Sequence, residues 1–150
     1  MKDQVGLRAD TASLLGRFKL PTGSRVHSRL VPSFCLESSQ TDKVESSGAV
    51  CDLHHYMPGF SPNVICTYPS TQNSSEHVIL SAHYDSRGSF GNTRAPGGDD
   101  DGSGSGHLLG VVEAIKRGGV KFDKKVQVAF FSGEEQGLFG SHAYAGKLQS

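Results

Sequence analysis

The sequence predicts an α/β fold with a mixed, mostly parallel sheet flanked by helices. Two observations support this prediction. Apolar, β-branched runs alternate with an amphipathic helical pattern in the second half of the chain, and acidic clusters come directly after two of those runs. In α/β sheets the ligand site lies beyond the carboxyl ends of the strands. We therefore expect the functional groups to meet at one end of the sheet.

The second half of the chain contains the clearest elements. A polar loop separates the first two predicted strands, which favours a hairpin between them. Leucine, valine and isoleucine recur on one face of the first predicted helix, and Gly118-Gly119 ends it. The predicted elements are strands at 63–68, 78–82 and 124–131 and helices at 108–115 and 138–148.

The first 59 residues are predicted to form a partly irregular N-terminal segment, with the main domain over 60–150. Asp10 to Phe18 has a roughly helical apolar pattern that Pro21 ends, and no apolar leader opens the chain. Residues 38–48 are rich in serine, threonine and charge without an apolar period, and residues 54–59 end in the turn signal Pro58-Gly59, so we expect this part of the chain to be irregular.

Charge and composition exclude two classes of partner. Fifteen basic side chains balance fifteen acidic ones, which removes a bulk electrostatic attraction to nucleic acid or to an anionic membrane. No run approaches the roughly 20 apolar residues of a membrane helix. We expect neither nucleic acid nor membrane as a partner, and the oligomeric state is left open.

The three cysteines and one sequence triplet bear on the cellular compartment of the protein. Cys35, Cys51 and Cys66 allow at most one internal disulfide, and their pairing is left open. Asn73-Ser74-Ser75 matches an N-glycosylation acceptor, although such triplets also arise by chance.

Three polar clusters are candidates for chemistry. His83 ends a predicted strand, and Asp85 follows two residues later. A carboxylate at this spacing can orient an imidazole that binds a metal. The alternative is a histidine at a strand end with a capping aspartate and no metal. The carboxylates of 99–101 are crowded among glycines, as in a metal site or a solvated acidic turn. Glu134 and Glu135 follow an apolar strand, where one could bind metal and the other accept a proton. Mixed histidine and carboxylate donors suit zinc, so the three clusters together favour a two-metal hydrolytic site.

Three segments carry a family resemblance. The runs VILSAHYDSRG, APGGDDDGSGSGHLLGVVEAI and VQVAFFSGEEQGLFGSHAYA occur in order and closely resemble the M28 family of zinc-dependent aminopeptidases. The resemblance covers roughly residues 60–148 and implies a zinc-exopeptidase-like fold. It also implies a secreted metalloprotease whose substrates are peptides with a free N-terminus.

The resemblance assigns roles to individual residues. It implies that His83 binds one zinc, Asp100 bridges two zinc ions and Glu135 binds the second. Glu134 would be the general base toward a water bridging the two ions, and Asp85 would orient His83. The family also implies a cis peptide bond between Asp100 and Asp101.

The family pattern continues with an aspartate and a histidine that bind zinc. Neither can be assigned in these 150 residues, so we expect an apparently truncated domain with an incomplete metal site. The alternatives are a glutaminyl-peptide cyclase-like relative with one zinc, a receptor-like relative without activity, and a fragment that does not hold two metals.

Overall fold

The computed structural model describes residues 40–88 and 94–150. All of them belong to one compact unit, Val31–Ser150. The helix predicted at Asp10 to Phe18 lies outside the described residues. The elements are β1 (Val50–His54), β2 (Asn63–Tyr68), β3 (His77–His83), α1 (Gly102–Gly118), β4 (Lys125–Phe131) and α2 (Phe139–Gln149), and a helical stretch at 40–45 precedes β1.

The four strands form one mixed sheet in the order β1-β2-β4-β3. β1 pairs with β2 and β2 pairs with β4 in antiparallel fashion, while β3 pairs with β4 in parallel. The prediction of a mostly parallel sheet is therefore wrong, and so is the predicted hairpin between β2 and β3. The physical reason is that β4, whose five central residues are all buried, takes the central position between those two strands.

α1 makes the crossover between the parallel strands β3 and β4. Its apolar stripe, centred on Leu108, Val112 and Ile115, is buried against one face of the sheet. The strands contribute Val64, Cys66, Tyr68, Ala82, Val126, Val128 and Phe130 to this core. The predicted strand–helix–strand order is confirmed here, because burying both apolar surfaces requires the helix to lie across the sheet.

Polar side chains and a glycine set the ends of α1. The Asp101 side chain caps the N-terminus by accepting the backbone N–H of Gly104. Gly119 ends the helix with φ 58°, a left-handed conformation that glycine adopts without steric cost, as the Gly118-Gly119 signal predicts. Across residues 40–88 and 94–150, neither helix is long and apolar enough to span a bilayer.

α2 covers the opposite face of the sheet. Its Tyr144 is buried with Ile65 and Ala129 of the central strands, and Phe131 packs against this group. The Tyr144 hydroxyl donates to Gln127 Oε1 at 2.9 Å, so the one polar end of the ring is satisfied inside the core. This contact fixes α2 on the strand that leads into Glu134.

β1 arises from the segment that the sequence predicts to be irregular. It pairs with β2 over five residues, and a disulfide joins Cys51 to Cys66 directly across the two strands. The prediction of irregular structure is wrong for this strand and for the helical stretch at 40–45. Cys35 lies outside the described residues.

Candidate active site

The predicted site residues lie where β3 and β4 end together. His83 is the last residue of β3 and pairs in register with Phe131, the last residue of β4. The chain then continues from β4 through Ser132 and Gly133 to Glu134. Parallel pairing thus brings the His83 and Glu134 segments to the same edge, as expected for an α/β site.

The His83 imidazole lies between carboxylates. Its Nε2 is 2.9 Å from Asp100 Oδ1 and 3.7 Å from Glu134 Oε2. Its Nδ1 is 3.0 Å from the backbone oxygen of Asp85 and 3.5 Å from the Asp85 carboxylate. Because Nδ1 donates to that carbonyl oxygen, Nε2 is the nitrogen directed at the two carboxylates.

Burial and the neighbouring carboxylates shift the pKa of the His83 ring in opposite directions. Burial by itself lowers the pKa of His83, since it disfavours the charged imidazolium. The hydrogen bond to Asp100 and the charges of Glu134 and Asp85 outweigh burial, so the pKa is raised above its ordinary value. The proton shared by His83 Nε2 and Asp100 Oδ1 lies where a metal cation would bind, because a cation binds the same two atoms after that proton leaves.

Asp100 and Asp101, two of the three aspartates at 99–101, have different roles. The peptide bond between Asp100 and Asp101 is cis, as the family resemblance implies. Asp100 reaches His83, and its side chain is 75% exposed. Asp101 instead caps α1 through one oxygen and accepts the backbone N–H of His83 through the other, at 3.1 Å. Asp101 therefore ties the aspartate loop to β3.

Asp85 contacts the backbone of Glu134 and Glu135 as well as His83. Its carboxylate accepts the backbone N–H of Glu134 at 3.3 Å and that of Glu135 at 3.2 Å. The sequence predicts an orienting role toward His83 alone, and the bonds to the Glu134-Glu135 backbone are an additional finding. No local pattern could have signalled them, because the partners are brought together only by the parallel pairing of β3 and β4.

Glu135 forms hydrogen bonds with Arg87 through its side chain and its backbone oxygen. Its Oε1 accepts the backbone N–H of Arg87 at 2.9 Å, and its backbone oxygen accepts from the Arg87 guanidinium at 3.4 Å. Arg87 was not among the predicted site residues. Within residues 40–88 and 94–150, no three histidine, cysteine, aspartate or glutamate side chains are arranged so that they could hold a metal ion together.

The donors that do face each other suit zinc in kind. One imidazole nitrogen of His83 and one carboxylate oxygen of Asp100 are the ligand types that zinc prefers, and Asp85 orients the imidazole from behind. They supply two of the usual three or four protein ligands, so this part of the chain fits as a partial zinc site.

An aromatic wall supports the turn that carries Glu134. Gly133 has φ 69°, and a Cβ at this position would lie 2.6 Å from the Tyr56 hydroxyl oxygen and 3.0 Å from the Phe60 ring. The Tyr56 hydroxyl bonds to the Ser132 backbone oxygen at 3.0 Å, and burial raises the pKa of this tyrosine, so it stays a donor at neutral pH. Residues 55–60 also line an open cavity of about 420 Å³.

A buried asparagine fixes the same turn from the other side. Asn63 is fully buried and accepts the backbone N–H of Ser132 at 3.1 Å. It also donates to the Gly140 backbone oxygen at 2.9 Å, which joins the turn to the first residues of α2. No sequence pattern indicates this role, because a lone asparagine at the start of a strand resembles an ordinary loop boundary.

The arrangement is an aminopeptidase-like α/β fold. It is similar to the LapA aminopeptidase of Legionella pneumophila with a TM-score of 0.62, covering 77% of this chain and 30% of that chain at 21% identity. At this identity the likeness establishes the fold alone.

The sequence establishes the family. The chain belongs to peptidase family M28, which matches residues 63–150. Leucine aminopeptidase 1 of Sclerotinia sclerotiorum is 30% identical over 95% of this chain and 41% of its own length. Leucine aminopeptidase 1 of Fusarium vanettenii is 38% identical over 54% of this chain and 22% of its own length. The chain thus spans less than half the length of these relatives.

Proposed function

We propose that the protein is a zinc-dependent aminopeptidase that hydrolyses the N-terminal residue from peptides. The observation that carries the proposal is the convergence of His83 Nε2 on the Asp100 and Glu134 carboxylates at the ends of two parallel strands. Membership of a peptidase family and relatives named leucine aminopeptidase support peptides with a free N-terminus as the substrates.

His83, Asp100 and Glu135 are the residues of this chain that would hold zinc. Bound zinc would supply a Lewis acid that lowers the pKa of water and polarises the peptide carbonyl group. Asp85 keeps the His83 ring in the orientation that directs Nε2 to the ion. Glu135 would hold zinc through the carboxylate that accepts the Arg87 backbone N–H in this structure.

Glu134 is the proposed general base. Its carboxylate faces His83, is 35% exposed, and makes none of the backbone contacts that occupy Glu135. A carboxylate in this position accepts the proton of the attacking water and returns it to the leaving amine. Because Asp85 holds the backbone N–H of Glu134, the base is presented from a fixed turn.

We also propose that the protein is extracellular. The cross-strand disulfide Cys51–Cys66 supports this, since disulfides persist mainly in oxidising compartments.

The roles of the adjacent glutamates can be separated in the longest natural form of the protein that contains these residues. Glu134→Gln should retain zinc and lose about 10²–10⁴-fold in kcat, because general-base catalysis contributes that much. Glu135→Ala should lose zinc as well. Zinc content by elemental analysis and release of leucine from a leucyl peptide are the two measurements.

Glu113→Gln is the matched control, since Glu113 is an exposed α1 residue whose described partner is Arg117. It should keep both zinc and rate. If Glu134→Gln turned over substrate at the rate of Glu113→Gln, Glu134 would not be the base. If no form bound zinc or released leucine, a relative without activity would be the better description.

A further inference from the structure

The loop at 69–76 carries a modification motif that the proposed function does not use. It connects β2 to β3 and contains Asn73-Ser74-Ser75, the one Asn-x-Ser/Thr triplet in the sequence. The other asparagines, Asn63 and Asn92, are not followed by serine or threonine two residues later. Any N-linked glycan on these 150 residues therefore has a single candidate position.

The structure presents Asn73 outward on a fixed turn. Asn73 and Ser75 are both exposed, and Asn73 has φ 53°, a left-handed conformation that asparagine tolerates better than most residues. The Ser70 hydroxyl accepts the backbone N–H groups of Gln72 and Ser74, each at 3.0 Å, and so supports the backbone on both sides of the asparagine. The loop is held by its neighbours, and the Asn73 side chain projects from it.

The loop is also held against the strand below it. The backbone N–H of Thr71 donates to the Phe122 oxygen at 2.8 Å, and the backbone N–H of Lys125 donates to the Glu76 oxygen at 3.0 Å. Neither bond involves Asn73 or Ser75. A bulky group on Asn73 would therefore leave the anchoring contacts of the loop intact.

The position is remote from the candidate active site. The loop lies at the end of the sheet where β3 begins, and His83 lies where β3 ends. At about 3.3 Å per residue, the seven residues of β3 separate the two by about 20 Å. A glycan on Asn73 would not block access of a peptide to His83 and Glu134.

We infer that Asn73 is an acceptor for N-linked glycosylation. The inference combines the exposed triplet with the Cys51–Cys66 disulfide, because oxidising compartments are also where asparagine-linked glycans are added. In the transfer, Asn73 Nδ2 forms a bond to the anomeric carbon of a lipid-pyrophosphate-linked oligosaccharide. The bond from that carbon to the pyrophosphate oxygen breaks, the amide loses one proton, and the lipid pyrophosphate leaves. The inference is independent of peptidase activity.

The test is to express the chain behind a cleavable secretion leader in yeast and measure its mass. The medium and the microsomal fraction are both analysed, because the glycan is added on entry to the secretory pathway. The wild type should migrate more slowly than Asn73→Gln, and a peptide N-glycosidase should abolish the difference. The enzyme leaves aspartate at the glycosylated position, so mass spectrometry of the reduced tryptic peptide 44–87 should find aspartate at position 73.

Two further variants separate the triplet from the fold of the loop. Ser75→Ala keeps Asn73 but removes the acceptor hydroxyl, and it should lose the glycan as completely as Asn73→Gln. Ser74→Ala removes the hydroxyl that bonds the backbone N–H of Glu76 at 3.1 Å, leaves the triplet intact, and should keep the glycan. A wild-type chain of the same mass as Asn73→Gln in both fractions, from cells that glycosylate a co-expressed control protein, would overturn the inference.

Discussion

Asp101 accepts the backbone N–H of His83 at 3.1 Å, so the residue that caps α1 also holds the end of β3. Replacing it removes both bonds at once. We predict that Asp101→Ala lowers the free energy of unfolding by about 1–2 kcal/mol, the usual cost of a lost N-cap together with a backbone N–H left without its partner. Urea unfolding of the longest natural form measures this. Asp99→Ala, at an exposed neighbour, should stay within about 0.5 kcal/mol of the wild type.

Asp85 controls the position of the adjacent glutamates. Asp85→Asn replaces one acceptor oxygen by an amide group, which cannot accept the backbone N–H of Glu134 or Glu135. We predict a loss of about 10–100-fold in zinc affinity or kcat, typical of residues that orient metal ligands. Asp52→Asn, at an exposed position of β1, is the control and should change neither quantity. An Asp85→Asn enzyme with unchanged zinc affinity and kcat would contradict the prediction.

Tyr56 and Gly133 form a close contact that a double-mutant cycle can measure. Gly133→Ala places a methyl group at positive φ and against the Tyr56 hydroxyl, so it should cost well over 1 kcal/mol of stability. Tyr56→Phe alone should cost about 1 kcal/mol, the value of its bond to Ser132. In the Tyr56→Phe background the alanine should cost less, because the nearest clashing atom is gone.

One outcome of the cycle would contradict the prediction of a close contact. Strict additivity of the two free energies would show that the hydroxyl does not crowd position 133. Gly110→Ala provides the control, since nothing lies within 4 Å of a Cβ there and glycine is unfavourable inside a helix. It should stabilise the protein by about 0.5–1 kcal/mol.

The disulfide between β1 and β2 should make a large contribution to stability. It closes a loop with a sequence separation of 15, for which chain entropy predicts a contribution of about 3 kcal/mol. The double variant Cys51→Ala, Cys66→Ala should therefore unfold at a clearly lower urea concentration than the wild type. Cys35→Ala should not shift the midpoint, and an equal shift in that variant would point to a different pairing.

The sequence predicted elements well where the signal is local. The buried run of β4 is found within one residue of its predicted bounds, 124–131, and the helical face through Leu108 and Ile115 is found within α1, which begins at Gly102 instead of at 108; periodicity reports burial directly. The glycine stop at 118–119 is also found, since a left-handed cap needs that residue type. The meeting of His83 with Glu134 followed from the ends of β3 and β4, whereas the role of Asp100, which lies in the loop before α1, came from the glycine-rich cluster and the family resemblance.

Strand neighbours were predicted poorly because pairing is not local. β2 and β3 are adjacent in sequence, but β4, which comes 42 residues after the end of β3, separates them in the sheet. β1 carries polar residues at two of its five positions and is stabilised by pairing with β2 and by the disulfide, neither of which a short window reveals. The contacts of Asp85 and Arg87 with the glutamate turn were missed for the same reason.

The in-register pairing of His83 with Phe131 makes the site sensitive to strand slippage. Side chains alternate between the two faces of a strand, so a shift of β3 by one residue along β4 would turn the imidazole to the opposite face and bring Ala82 or Tyr84 to the edge. Since a side chain points to one face of the sheet or to the other, no register places the imidazole between the two faces. Misfolded molecules should therefore lack the histidine–aspartate contact entirely instead of holding a weakened version of it.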